Sequence, residues 1–443
     1  MVCGDWNGYP ATDKNGCMER EGLTIIRDPK SPPPLISLDV SKGEAHALSV
    51  VNAEDIVSGK KKLRTRRFLF TKSGLDTISQ MRDEIIKARN DGEDPVVVME
   101  FTGCYSKPVE HYCQEHGFRY AMVPPTMSNK TRENESVKAA KNDNVDCRYI
   151  AVSYFEHSIE DKAKDSDEMS KIQALNALRA TQICLAKRLK QTFRNYLDLV
   201  FPRLDRISGL FLYSKAFPLT ISQYPHPDLI PSQKRLSKAI MKNERIHGPE
   251  YASDMAEKIL SYLEDCYSGV SSGATEVSSL SYICSSLARS IDQLNEIESK
   301  LFSASSNTSK YKRIQTIPGV GPIVASTITA ACGDLKRFKK SGALESYLGI
   351  VPLTKASGTE TGLHHQISHK GNTKARTVLY LAAQAAVSCS KDNVFRRFYA
   401  RLTEGNNKRP ALARTQALIA VAHKILTVMR AICINETDFD PSR

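Results

Sequence analysis

The run Pro95-Val96-Val97-Val98-Met99-Glu100 constrains the fold more than any other stretch of this chain. Consecutive apolar residues with no polar alternation suit a central strand buried on both faces, which requires helical layers on either side of a sheet. A carboxylate closing such a strand sits at the margin of a core, where an unpartnered charge is unfavourable. Upstream, Leu35-Ile36-Ser37-Leu38-Asp39-Val40, residues 45–51 and Arg67-Phe68-Leu69-Phe70 read as three short strands joined by turn residues, an antiparallel meander.

A helix is predicted over residues 74–89. After the central strand come a helix over 107–116, a strand over 118–123, a polar connection, and a helix over about 133–155. The order βββαβαβα is that of the RNase H/RuvC-like fold, so residues 35–158 are expected to form an α/β domain. In that fold Asp39 ends the first strand and Glu100 the adjacent central one. Asp143 and Asp146 are three apart and share one helix face. Four like charges in one place are costly unless a cation neutralises them. Mg2+ or Mn2+ prefers such hard carboxylate oxygens. Each acid also has a plain reading by itself, as a turn residue or part of a solvated face.

The next region, residues 159–308, is expected to be helical. Ile172, Leu175, Leu178, Leu185, Leu189 and Phe193 recur at helical spacing. Leu280, Leu287, Leu294 and Leu301 are seven apart, with Cys284 and Ile291 between them, which makes a heptad seam. The seam fits a helical hairpin, a coiled coil between protomers, or an amphipathic helix packed on its own domain. Pro-containing residues 216–231 are expected to break these helices.

Residues 309–443 open on Ile317-Pro318-Gly319-Val320-Gly321-Pro322, ahead of a small-residue helix. Such a turn presents backbone N–H groups to an anion and resembles a helix-hairpin-helix element, with Gly319 and Gly321 at a DNA phosphate. A tight interhelical turn without ligand is the alternative. Leu418, Val421, Ile425, Val428 and Ile432 form an apolar helical stripe. Residues 1–34, ending in Pro32-Pro33-Pro34, read as an N-terminal extension.

A net charge of +13, from 62 basic and 49 acidic residues, favours a polyanionic partner. Nucleic acid comes first and an anionic membrane surface second. Lys60-Lys61-Lys62-Leu63-Arg64-Thr65-Arg66-Arg67 is the densest basic cluster. Lying between two predicted strands, it suits a hairpin along a phosphate backbone, with Lys61, Arg64 and Arg66 in contact. Further clusters lie at 187–190, 310–313 and 336–340. The chain shows no run approaching ~20 apolar residues and no signal-peptide pattern, so no membrane span is expected. Its 11 cysteines are scattered, odd in number and without a Cys-x-x-Cys pair, which suits reduced thiols of an intracellular protein.

A second constellation combines Tyr347-Leu348-Gly349-Ile350-Val351-Pro352, Ala356-Ser357-Gly358 and Ile367-Ser368-His369-Lys370-Gly371-Asn372 with Arg376. The glycine after Ser357 leaves its hydroxyl unobstructed, and Lys370 and Arg376 suit a phosphate nearby. Ser357 also reads as an ordinary turn residue. His364, His365 and His369 have no acidic or Cys partner at metal-ligand spacing.

Asp39-Val40-Ser41-Lys42, Glu100-Phe101-Thr102-Gly103-Cys104-Tyr105 and Lys141-Asn142-Asp143-Asn144-Val145-Asp146-Cys147-Arg148 resemble the acidic blocks of the DEDD-type insertion-sequence transposases. The Pro-Gly-Val-Gly-Pro turn, the Tyr347 to Pro352 block, Ser357-Gly358 and the 367–376 block resemble that family's C-terminal transposase domain. The resemblance spans roughly residues 35–435. It implies Mg2+ or Mn2+ held by Asp39, Glu100, Asp143 and Asp146, and Ser357 as nucleophile forming a covalent phosphoserine with DNA. It further implies donor and target DNA, a structured non-coding bridge RNA as guide, and a homodimer assembling to a homotetramer with a composite active site. A cytoplasmic, nucleoid-associated protein of a prokaryote is the expected setting. The extension 1–34 and the long middle region exceed those of compact members. Cys104 and Cys147 stand where small residues are usual. Two other readings are a metal-dependent RuvC-like Holliday-junction or repair endonuclease, which needs no Ser357, and a basic coiled-coil scaffold without catalysis.

Overall fold

A computed structural model describes residues 32–57, 64–89, 91–135, 143–157, 159, 167–243, 248–333, 335–338, 340–357, 360–367, 371–389, 392–405 and 410–441. The chain divides into two compact units, Met1–Lys164 and Asp165–Arg443.

The first unit runs β1 (Leu35–Ser41), β2 (Glu44–Val50), α1 (Ala53–Val57), β3 (Arg66–Leu69), α2 (Lys72–Arg89), β4 (Val96–Glu100), α3 (Lys107–Glu115), β5 (Tyr120–Val123), α4 (Pro125–Glu135) and α5 (Asp143–Glu156). The sheet order is β3-β2-β1-β4-β5. β1 pairs antiparallel with β2 and parallel with β4, and β5 is parallel to β4. This is a mixed five-stranded, RNase H-like sheet with β4 between two parallel neighbours, as its apolar run requires.

Alternation along β1 and β4 separates two cores. Ile36, Leu38, Val40, Val97 and Met99 face one side with Ile78, Met81 and Ile85 of α2 and Val109, Tyr112 and Cys113 of α3. Leu35, Val96 and Val98 face the other with Ala53 and Ile56 of α1 and Cys147, Ile150, Ala151 and Tyr154 of α5.

Two local expectations need correction. The stretch expected as one helix over about 133–155 is helical at the end of α4 and through α5, with residues 136–142 outside the described residues, and the polar connection before it is itself helical from Pro125. Proline is favoured in a first helical turn, where its missing N–H has no intrahelical partner to lose. The element before the basic cluster at 60–67 is the helix α1 instead of a strand, and Arg66 and Arg67 open β3, while residues 60–63 lie outside the described residues.

The second unit runs α6 (Asp167–Val200), α7 (Ala216–Gln223), α8 (Gln233–Asn243), α9 (Pro249–Leu263), α10 (Thr275–Ser306), α11 (Ser309–Ile314), α12 (Pro322–Cys332), α13 (Ser341–Leu348), β6 (Pro352–Ser357), β7 (Glu360–Ile367), α14 (Thr373–Ser388), α15 (Val394–Glu404) and α16 (Arg414–Asn435). It is mostly helical, with one hairpin of β6 and β7 that helical periodicity does not predict.

The heptad seam of α10 is used within the chain. Leu280, Cys284 and Leu287 pack on Phe193, Leu197 and Val200 of α6. Arg179 meets Glu298 at 2.8 Å, and Gln182 donates to the Ser290 hydroxyl at 2.9 Å. These pairings run in opposite directions along the two helices, so α6 and α10 form an antiparallel hairpin. Residues 216–231, expected as a simple break, begin with α7, and α8 and α9 complete a helical insert at the hairpin's end. Apolar Leu236 and Ile240 of α8 meet Ala252, Met255, Ala256 and Ile259 of α9 there.

The C-terminal part gathers around α16, whose Val421, Ile425, Leu426 and Met429 are buried with Ile328 of α12 and Leu379 and Ala383 of α14. With 22 residues, α16 is long and apolar enough by length and composition to cross a membrane, which corrects the expectation that no run qualifies. Half of that apolar stretch is buried inside the unit. A helix ringed by neighbours is apolar around much of its circumference for that reason.

Candidate active site

Parallel pairing of β1 with β4 aligns Leu38 with Met99, so the residues that follow, Asp39 and Glu100, stand side by side at one end of the sheet. By alternation both lie on the face covered by α5, with Leu35, Ser37, Val96 and Val98. Two bonds pin the first turns of α5 to that face. The buried Ser37 hydroxyl donates to the Cys147 carbonyl at 2.7 Å, and the Cys147 thiol donates to the His46 carbonyl at 3.2 Å. His46 is the register partner of Asp39. Cys147, where the family resemblance would put a small residue, is therefore a buried structural thiol. Its neighbour Asp146 is nearly buried.

The carboxylates feel each other. Burial pushes the Glu100 carboxyl above its ordinary range; a hydrogen bond from Ser128 and the Arg132 guanidinium pull it back, while the charges of Asp39 and Asp146 push it further up. Arg132, on α4, places Nη2 2.5 Å from Asp146 Oδ1 and lies over the Tyr149 ring. Its Nε is buried without a hydrogen-bond partner. Thr131 holds α4 to α5 through the Ser153 hydroxyl at 2.9 Å and Glu156 at 3.2 Å. Sequence reasoning misses Ser128 and Arg132 because their polar segment reads as a connection. Their spacing of four after Pro125 is the signal that would place them on one helix face.

Asp143 is the first residue of α5, and its side chain lies outside the described set. Among the described residues no cluster of three His, Cys, Asp or Glu side chains is placed to hold a metal ion. The groups nevertheless fit a hard divalent cation. All donors are carboxylate oxygens, Glu100 is destabilised by Asp39 and Asp146, and the Arg132 guanidinium beside them keeps an unused buried N–H.

In the second unit Ser357 ends β6 and pairs with Glu360 of β7, which puts it at the tip of the hairpin. The base of that hairpin, Pro352 opposite Ile367, joins two of the sequence blocks. Gly371, at φ +114°, packs so closely on the end of α13 that a Cβ would stand 2.6 Å from the Tyr347 carbonyl oxygen. Asn372 caps α14 by accepting from the Ala375 N–H at 3.1 Å. Arg376 donates to the Leu348 carbonyl at 3.3 Å and to the Thr373 hydroxyl at 3.2 Å. The two blocks thus build one framework around the hairpin. Lys370 and His369 lie outside the described residues.

Gly319, at φ +82°, is required by packing: a Cβ there would lie 2.3 Å from the Ala382 carbonyl oxygen of α14. Gly321 caps α12 and faces open space, so the anion-binding reading attaches to it more readily than to Gly319. In the basic cluster, Arg66 pairs with Glu84 and Arg67 with Glu44, each at 2.5 Å. Arg64 is exposed, and Lys61 lies outside the described residues.

Residues 36–202 match the family model of DEDD transposases of the IS110 type, and residues 311–400 match the model described as "Transposase IS116/IS110/IS902 family". The chain is 24% identical over 255 residues to the "Insertion element IS110 uncharacterized 43.6 kDa protein" of Streptomyces coelicolor, covering 58% of this chain and 60% of the relative. It is 28% identical over 201 residues to the "Transposase for insertion sequence element IS1111A" of Coxiella burnetii, covering 43% and 54%. Similarity to the "Insertion element IS116 uncharacterized 44.8 kDa protein" of Streptomyces clavuligerus is 30% over 129 residues, covering 29% and 30%. The chain thus spans less than two thirds of the length of these relatives. Two matched regions in the same order, on an RNase H-like sheet bearing the acids and a hairpin bearing the serine, place this chain in the IS116/IS110/IS902 family of transposases.

Proposed function

We propose that the protein is a transposase that cuts and rejoins donor and target DNA through a covalent Ser357–DNA phosphodiester. The observation that carries this reading is the placement of Asp39 and Glu100 side by side on the sheet face to which α5 brings Asp146. Asp39, Glu100, Asp143 and Asp146 would hold Mg2+ or Mn2+, with Ser128 and Arg132 orienting Glu100 and Asp146. When bound, the ion supplies positive charge at the reacting phosphate. Ser357, at a hairpin tip, would be the nucleophile: its Oγ forms a bond to phosphorus as one ester P–O bond of the DNA strand breaks. The hydroxyl proton leaves Oγ, and the departing strand oxygen takes up a proton. Attack by the hydroxyl of a new strand then frees Ser357, so the number of ester bonds is conserved.

A structured bridge RNA as guide, a homodimer assembling to a homotetramer, and a composite site shared between protomers belong to the same reading. So does a cytoplasmic, nucleoid-associated location. They rest on the family resemblance and the +13 charge. The intramolecular use of the α10 seam removes the heptads as an argument for assembly.

Incubation with Mg2+, donor and target DNA and RNA that co-purifies with the protein, followed by a denaturing gel, tests the reaction. A protein–DNA adduct that disappears in Ser357→Ala is expected. Cleavage without adduct that survives Ser357→Ala would instead assign a metal-dependent nuclease of the RuvC-like type.

A further inference from the structure

The insert between the arms of the α6–α10 hairpin lies between the two family-matched regions. Its helix α8, Gln-Lys-Arg-Leu-Ser-Lys-Ala-Ile-Met-Lys-Asn over Gln233–Asn243, carries four basic side chains and no acid in 11 residues. Leu236, Ala239 and Ile240 are buried, whereas Lys234, Arg235, Lys238 and Lys242 are exposed. At 3.6 residues per turn the four cations fill an arc of about 100°, turned away from the buried stripe. None of them has an ion-pair or hydrogen-bond partner among the described residues. Neighbouring helices mix signs: α9 carries Glu250, Asp254 and Glu257, and its Lys258 is bound to Asp254 at 2.7 Å. Away from the insert, at the other end of α10, Lys300 is bound to Glu296 at 2.6 Å.

A helix that segregates cations so fully loses stability to their mutual repulsion, and acids one turn away would have relieved it. Such an arrangement matches a partner that supplies the negative charge. From Lys234 to Lys242 the helix advances about 12 Å. Over that length one strand of a DNA duplex presents about three to four phosphates, at 3.4 Å of axis each. We infer that α8 is a sequence-independent clamp on the phosphate backbone of duplex DNA, with Lys234, Arg235, Lys238 and Lys242 each neutralising about one phosphate. The choice of DNA as the polyanion rests on the transposase reading, whereas the charge geometry stands without it.

The test is the salt dependence of binding by the full chain to a mixed-sequence DNA duplex, measured by fluorescence anisotropy. Changing all four to Gln (Lys234→Gln, Arg235→Gln, Lys238→Gln, Lys242→Gln) is expected to reduce the slope of log K against log salt by about 3.6, at ~0.9 for each phosphate no longer neutralised. The half variants Lys234→Gln with Lys238→Gln, and Arg235→Gln with Lys242→Gln, are each expected to show about half of that reduction, with melting unchanged or slightly raised by the relieved repulsion. The control Lys258→Gln with Lys300→Gln keeps the parent slope. An unchanged slope in the half variants overturns the inference. So does a reduction confined to a folded RNA probe, which would assign the face to RNA. Adduct formation at Ser357 is scored separately on the same proteins, so failure of α8 is distinguishable from failure of the proposed reaction.

Discussion

Arg132 Nη2 stands 2.5 Å from Asp146 Oδ1, joining α4 to α5 beside two carboxylates on neighbouring parallel strands. A cation of the protein's own thereby answers part of the charge that Asp39, Glu100 and Asp146 bring together. A divalent ion entering this site competes with that guanidinium for Asp146. Arg132→Gln is therefore expected to raise Mn2+ affinity several-fold while lowering the melting temperature of the metal-free protein. Calorimetric titration and thermal melting read the two effects separately, and unchanged Mn2+ affinity would remove Arg132 from the site.

Glu100 gives the metal-free protein a definite pH response. Its carboxyl titrates above the ordinary range because of burial first and its acidic neighbours next. The folded state thus binds the proton more tightly than the unfolded chain. The contribution to stability is fully present below the ordinary carboxylate range and falls as pH rises from there through the raised value. Glu100→Gln is expected to flatten this decline and to raise the melting temperature at neutral pH by a few degrees, while abolishing any DNA adduct. Melting curves across the acidic range check the sign.

The Ser37–Cys147 bond is the local tie between β1 and α5. Ser37→Ala removes one buried hydrogen bond and is expected to destabilise the protein by about 1 kcal/mol. Because that bond also positions Asp146, Mn2+ affinity is expected to fall more than this stability change alone implies. Denaturant unfolding and metal titration provide the comparison.

The two glycines of the Pro-Gly-Val-Gly-Pro turn are expected to behave differently. Gly319→Ala forces a side chain into the backbone of α14 at a positive φ, at a cost of about 2 kcal/mol or more. Gly321→Ala meets open space at φ −86° and is expected to leave melting within about 0.5 kcal/mol of the parent. A drop in DNA affinity in Gly321→Ala at unchanged stability would mark the start of α12 as a phosphate contact.

Helices α6 and α10 separate packing from assembly. Leu287 is fully buried in the hairpin, so Leu287→Ala is expected to cost about 3 kcal/mol. Leu178 and Leu185, at 51% and 48% exposure, lie outside that seam despite their helical spacing. Leu178→Gln with Leu185→Gln is expected to leave the fold intact and shift the proposed dimer toward monomer. Sedimentation against protein concentration decides it.

The five strands of the first unit and the position of Glu100 at a strand end were legible in the residues alone, whereas β1 runs on past Asp39 to Ser41, and α1 and α4 were not foreseen. Alternation and uninterrupted apolar runs are local properties, and burial of both sheet faces follows from them. The spacing of Asp143 and Asp146 was equally local, as was the heptad period of α10. Contacts between distant segments decided the rest. Ser128 and Arg132 reach the acids only because α4 packs on α5 through Thr131, Ser153 and Glu156. The cations Arg66 and Arg67, which look free in a basic run, meet Glu84 and Glu44 from other elements. The same heptad pattern serves a hairpin or a dimer, and only the presence of α6 across the seam selects the hairpin. Sequence period determines which side of an element is buried; tertiary packing determines what covers it and which charges are left to act.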